Sequence, residues 1–289
     1  MTEISFLFWN IKDQSEQSSS FIGAFAEMLK EVNAGIVCLA ETNISDAWMQ
    51  TSGYKLISET HRESRRSSNV KKWLKIYAKP GIRLLPLAEP YGNGELLATQ
   101  LEVEKKRFII MGAHLLSQKT SPTPASRFDR SIDLRNFIEG LEKHPNLSTQ
   151  GTLVFGDFNM NPYEPAFTST RGFFAIDLWQ PFPRRMQNYP YFVNPTPARF
   201  GSQINNGTIE PGGTYYLRNK RFNTPDEFVW NMLDGLFFRP SMVKYYVAGS
   251  PLTIITKTQS HQLFTHDLIP PIDTEYSDHL PITFTFNFH

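Results

Sequence analysis

"TLVFGDFNMNPYEP", residues 152–165, runs from four apolar residues into an acid, an aromatic and an amide within four further positions. The apolar run is too short for a helix and reads as a buried strand, and the Asn-Pro-Tyr-Glu-Pro that follows reads as a loop. On this segment alone, two readings of Asp157 and Asn159 stand side by side. They are turn formers, or they hold a reacting group. The other acids, amides and imidazoles, and what precedes each, decide between them.

Those residues fall in equivalent places. Asn10 closes "SFLFWN", Glu41 closes "IVCLAE", His114 closes "FIIMGAH", and "SDH" (Ser277, Asp278, His279) precedes the alternating "PITFTFNF". Taken singly, Asn10 and Asp278 read as cap or turn residues and His114 as a satisfied buried histidine. Glu41 fits that reading less well, because an unpaired buried carboxylate costs on the order of several kcal/mol. Reactive groups repeated at strand ends point to one rim of a sheet, where α/β folds place their sites.

The rest of the chain supplies such a fold. In "SSSFIGAFAEMLKEV", residues 18–32, Phe21, Phe25, Met28, Leu29 and Val32 recur at helical spacing behind serine caps. It stands between the strands "ISFLFWN" and "GIVCLAET", a strand–helix–strand order. Further strands are expected at "WLKIYAK", "ELLATQLEV", "RFIIMGAHL", "FFAIDLW", "DGLFFRP" and "KYYVAGS". A second helix is expected from "SRFD", where Ser126 and Asp129 fit a capping box, through Leu141. Neighbouring strands resemble hairpins, so the sheets should be mixed. Residues 181–228 are rich in Pro, Asn, Gly and Arg and form a long irregular insertion within one domain spanning 1–289.

Composition narrows the setting. Hydrophobic residues make up 40% and charged residues 20%, as in ordinary globular proteins, and 29 Lys plus Arg against 28 Asp plus Glu leave net charge uninformative about a polyanionic partner. The single cysteine, Cys38 in "GIVCLA", excludes an internal disulfide and reads as a core residue. The first residues lack the basic start and long apolar segment of a secretion signal, and no apolar run suggests a membrane span, so a cytoplasmic location is expected.

Six blocks together resemble the endonuclease/exonuclease/phosphatase superfamily with DNase I-like folds: "FWN", "CLAET", "GAHL", "GDFN", "NMLDGLFF" with Asp234, and "SDHLPI". They extend over almost the whole chain, from residue 8 to 282. The resemblance implies an α/β four-layer sandwich, two packed mixed β-sheets flanked by helices, and a phosphoesterase that uses Mg²⁺ or Mn²⁺. It also implies roles. Glu41, with Asn10 and Asp278, would hold the metal. Asp157 would orient the attacking water, and Asn159 would contact the phosphate. His279 would contact the phosphoryl group with Asp234 as its orienter, and His114 would act from the opposite side. The abasic-site branch reads Asn-x-Asp at the first block. This chain has "NIKD", and its Lys12 suits phosphate binding better than metal binding.

Substrate class is less legible. "RESRRSSNVKKWLK", residues 62–75, holds Arg62, Arg65, Arg66, Lys71, Lys72 and Lys75, which either follow a nucleic-acid backbone or decorate a solvated hairpin. Arg184, Arg185 and Arg199 among Tyr189, Tyr191 and Phe192 form a second basic and aromatic region. Its rings would stack on unpaired bases or anchor a loop. Nucleic acid is the expected substrate. The alternative is a small phosphorylated molecule such as a nucleotide, inositol phosphate or phospholipid head group, and a binding module without activity is a third reading.

Overall fold

The computed structural model describes residues 2–63, 70–87, 94–117, 123–177, 190–201, 203–205, 208–217, 229–247, 251–265 and 271–288. In chain order the first half contains β1 (Thr2–Asn10), α1 (Ser19–Val32), β2 (Ile36–Ala40), α2 (Asp46–Thr51), β3 (Lys55–Glu63), β4 (Val70–Ala78), β5 (Arg83–Pro86), β6 (Leu96–Val103) and β7 (Lys106–His114). Next come α3 (Pro124–Glu142), β8 (Thr152–Asp157), α4 (Pro165–Thr168), β9 (Ala175–Ile176), β10 (Phe192–Val193), β11 (Gln203–Asn205) and β12 (Thr208–Glu210). The last are β13 (Tyr215–Tyr216), β14 (Trp230–Asn231), β15 (Asp234–Phe238), β16 (Thr253–Ile254) and β17 (Ile282–Phe288).

Two mixed sheets carry the architecture. One has six strands in the order β16-β17-β1-β2-β4-β3, the other seven in the order β5-β6-β7-β8-β15-β10-β9. Strands β1 and β2 run parallel in the first, and β7 and β8 in the second. Inward side chains meet in a central core, with Phe6, Phe8 and Phe284 of the first sheet against Phe155 of the second. The outer face of the first sheet buries Trp9, Val37 and Leu39 under Phe21, Phe25 and Met28 of α1. The second sheet buries Met111, Val154 and Phe237 under Leu134 and Ile138 of α3. Helix, sheet, sheet and helix are four layers, as expected.

Local signals explain the elements and their departures from expectation. Ser18 caps α1, its hydroxyl accepting from Phe21 N. Helix α3 begins earlier than expected. Thr123 is its cap, accepting from Ser126 N, and Pro124 occupies the first turn, where a missing N–H costs nothing. Among the described residues of "FFAIDLW", the two of β9 join the sheet. Of the expected strand "KYYVAGS", residues 248–250 lie outside the described residues; Lys244 and Tyr245 end a 3₁₀ turn over Pro240–Tyr245, and Tyr246 makes a single bridge to Phe286. Tyr245 is buried by packing against Phe108 and Phe288, outside the strands. No helix among the described residues is long and apolar enough to cross a membrane.

Candidate active site

The parallel strands bring the site together. In register, His114 lies beside Asp157 across β7–β8, and Asp234 lies beside Asp157 across β8–β15. Asn10 pairs with Ala40 across β1–β2, which places Glu41 one residue further along the same rim. Gly156 makes the approach possible. Its φ is 150°, and a Cβ there would lie 2.0 Å from the Ala113 carbonyl oxygen, so only glycine fits before Asp157. Glu41 and Asn159 both adopt the left-handed backbone region, with φ of 46° and 52°. That conformation suits asparagine but is strained for glutamate, and such strain gathers at functional positions.

Asp157 is the centre of the arrangement and is buried. Its Oδ1 accepts from the Asn159 backbone N–H at 2.8 Å, and its Oδ2 accepts from Asn10 Nδ2 at 3.0 Å. Two imidazoles flank that second oxygen, His114 Nε2 at 3.5 Å and His279 Nε2 at 4.0 Å. Glu41 Oε1 reaches the same two nitrogens, Asn10 Nδ2 at 3.4 Å and His114 Nε2 at 3.4 Å. Two carboxylates therefore face the same pair of nitrogens. Burial pushes the Asp157 carboxyl up to about 7, with the Asp234 charge adding and His279 opposing.

His279 is fixed from behind, its Nδ1 2.8 Å from Asp234 Oδ2. Burial disfavours its cation, but Asp234 and Asp157 outweigh that and raise its pKa to about 10. Trp9 Nε1 holds the His279 carbonyl at 2.8 Å, and Ser277 Oγ donates to the Asn10 carbonyl and accepts from His279 N. Asn159 Nδ2 donates to the Leu115 carbonyl at 2.9 Å. Asp278 forms an ion pair with Lys12, so the residues expected to hold metal and phosphate here hold each other.

These groups line one cleft of about 780 Å³, which includes Asn10, Lys12, Glu41, His114, Asp157, Asn159, Asp278 and His279. Asp234 stands behind His279. Arg65 and Arg66 lie outside the described residues, and Lys71 and Lys72 are placed only as positions on β4, opposite Arg62 and His61. Lys75 does not belong to a basic surface. It is fully buried and paired with Asp46 at 2.5 Å. Glu95 is buried, paired with Arg130, and its carbonyl receives the His114 N–H. Arg184, Arg185 and Tyr189 lie outside the described residues, while Tyr191 and Phe192 are buried anchors. Sequence reasoning missed Trp73, whose ring stacks on His114 with centroids 3.9 Å apart. It also missed Arg127, Asn161, Tyr163 and Phe200, which line the cleft.

No protein-family model matches the sequence, and no curated protein matches it. Solved structures do. The catalytic domain of human Nocturnin with a bound sulfate anion is 15% identical, with a TM-score of 0.57 over 99% of this chain and 95% of that one. An AP endonuclease from Leishmania major is 15% identical, with a TM-score of 0.59 over 99% and 88%. An endonuclease/exonuclease/phosphatase family protein from Bacteroides thetaiotaomicron is 13% identical, with a TM-score of 0.57 over 100% and 98%.

The chain has the DNase I-like fold. At these identities the likeness is one of architecture, with nearly every element of the chain covered. Within this DNase I-like frame the acids and imidazoles occupy the strand ends where the two sheets open into the cleft.

Proposed function

We propose that this protein is a divalent-metal-dependent phosphoesterase that hydrolyses phosphodiester bonds in nucleic acid. The observation that carries the reading is the convergence of Glu41 and Asp157 on Asn10 and His114, with His279 on the other flank of Asp157. Carboxylates and an amide gathered on one rim supply oxygen donors for a cation, and hard oxygen donors suit Mg²⁺ or Mn²⁺. Glu41, with Asn10 and Asp278, would hold it. Asp157, Asp234 and His279 also bring ligand atoms within 4.8 Å of one another. There, however, the Asp234 contact already occupies His279 Nδ1, which suits proton handling better than ligation. When bound, the metal neutralises phosphoryl charge and stabilises the leaving oxygen.

The chain's own residues do the rest. Asp157, with its raised pKa, accepts a proton from the attacking water as the water oxygen bonds to phosphorus and the ester P–O bond breaks. His279, kept protonated and oriented by Asp234, donates to a phosphoryl oxygen. Asn159 contacts the phosphate, and His114 faces it from the Glu41 side. Lys12 neutralises a phosphate oxygen once it leaves Asp278. Neighbours of the same fold include an AP endonuclease, which supports phosphodiester chemistry, and the single buried Cys38 suits a reducing, cytoplasmic setting.

The test is incubation of purified protein with Mg²⁺ or Mn²⁺ and a panel of single- and double-stranded DNA, RNA, nucleotides, inositol phosphates and phospholipid head groups. Cleavage of a nucleic acid is expected. Turnover of a nucleotide or inositol phosphate alone would overturn the nucleic-acid assignment and leave a small-molecule phosphatase. If Arg65, Arg66, Lys71 and Lys72 follow the backbone, neutralising them flattens the dependence of log affinity on log salt. An unchanged slope removes that loop from the interface.

A further inference from the structure

The cleft continues past the acids onto Tyr163, Pro165, Phe200, Leu217 and Leu233, a surface that the hydrolytic step does not use. Tyr163 is 60% exposed, and among the described residues it and Leu85 are the exposed large hydrophobic side chains. A single exposed aromatic is unremarked on most surfaces. Here its loop is built to hold it in place. Asn161 N donates to Glu164 Oε1 at 3.0 Å, Asn161 Nδ2 donates to Asn231 Oδ1 at 2.8 Å, and Asn161 Oδ1 accepts from Met232 N at 2.9 Å. Arg127 Nε clamps Glu164 at 3.1 Å, and prolines stand on both sides of Tyr163. The ring is thus exposed on a fixed support four residues after Asn159.

Phe200 lies beside it, ring centroids 6.4 Å apart with planes 50° apart. We infer that Tyr163, bordered by Phe200, is a stacking shelf for an unpaired nucleobase next to the phosphate being cleaved. The inference rests on the phosphodiesterase reading and names its substrate more narrowly. Aromatic faces accept any base, and a base inside a duplex already has both faces covered. The amide pair Asn161–Asn231 and the ion pair Arg127–Glu164 border the shelf. Such a polar border suits a base and not an acyl chain.

The experiment follows the fluorescence of a single-stranded DNA hexanucleotide containing 2-aminopurine as it binds the full chain in EDTA. The unchanged protein is expected to quench the probe. Tyr163→Ala should weaken binding about tenfold and abolish most of the quenching, within the range for one base on one ring. Tyr163→Phe should restore both, since it keeps the face and loses the hydroxyl. Unaltered affinity and quenching in Tyr163→Ala would overturn the shelf, and hydrolysis of the oligonucleotide with Mg²⁺ by that same variant would leave the hydrolytic reading standing. Tyr163-dependent quenching in a protein that hydrolyses no phosphoester with Mg²⁺ or Mn²⁺ would support the shelf and overturn the hydrolytic reading instead.

Discussion

The two histidines of the cleft are held by different forces. His279 is gripped through Nδ1 by Asp234 at 2.8 Å, a contact that sets its orientation, its tautomer and its charge together. His114 lies flat on Trp73, with 12° between the planes, and its Nε2 meets Glu41 and Asp157 at 3.4 and 3.5 Å. A stacked indole fixes a ring's position but leaves its charge to its other neighbours. One side of the site therefore has its proton arranged in advance. On the other side, the imidazole is placed by stacking and by its approach to Glu41 and Asp157.

The contrast sets the order of expected effects. Asp234→Asn keeps shape and removes the charge that holds the His279 proton, and kcat should fall by about 100-fold or more, as should kcat for His279→Ala. Trp73→Ala should be milder, about tenfold. Trp73 ties the two sheets at the site, its carbonyl receiving the Glu41 N–H at 3.0 Å and its indole N–H reaching the His114 carbonyl at 3.0 Å. Trp73→Phe keeps the stack and should recover most of the rate. If Trp73→Ala cost as much as Asp234→Asn, the distinction between the two histidines would fail.

The smallest effect is on stability. An acid whose folded pKa lies above its unfolded value binds more protons when folded, so stability falls as pH rises between the two values. For Asp157 that window runs from its ordinary value of 3.8 to about 7. The carboxylate is thus a liability in metal-free protein above that window. Asp157→Asn should raise the Tm of metal-free protein by a few degrees at pH 8, and by less at pH 5 where the native carboxyl is protonated. Equal shifts at the two pH values would refute a buried, strained carboxylate.

Much of this was legible because the signals are local. Asn10, Glu41, His114 and Asp157 each end an apolar run, and parallel pairing of β1 with β2 and β7 with β8 turns four separate run-ends into one rim. What escaped depends on distant partners. Trp73 and His114 stack across 41 positions of chain, and nothing near "VKKWLKI" signals it. Lys75 looked like one more surface cation, yet β4 turns it inward to Asp46 and Glu59. Strand β3 was missed because its charged residues and register shifts near Ser58 and His61 blur the alternation. "KYYVAGS" misled in the opposite sense, its Tyr245 being buried at the end of a 3₁₀ turn by packing on Phe108 and Phe288.

The central claim is that Glu41 and its neighbours hold a catalytic divalent cation. The direct measurement is turnover of a cleavable phosphodiester by EDTA-treated protein as Mg²⁺ or Mn²⁺ is restored, together with calorimetric metal binding, for the native chain and for Glu41→Gln. Glu41→Gln keeps the side chain's shape and removes its charge. The native chain should be inactive without metal and recover as it is added. Glu41→Gln, folded by circular dichroism, should lose at least ~1,000-fold in rate and most of its metal affinity. Turnover in EDTA, or near-normal Mg²⁺-supported turnover in folded Glu41→Gln, would contradict the account.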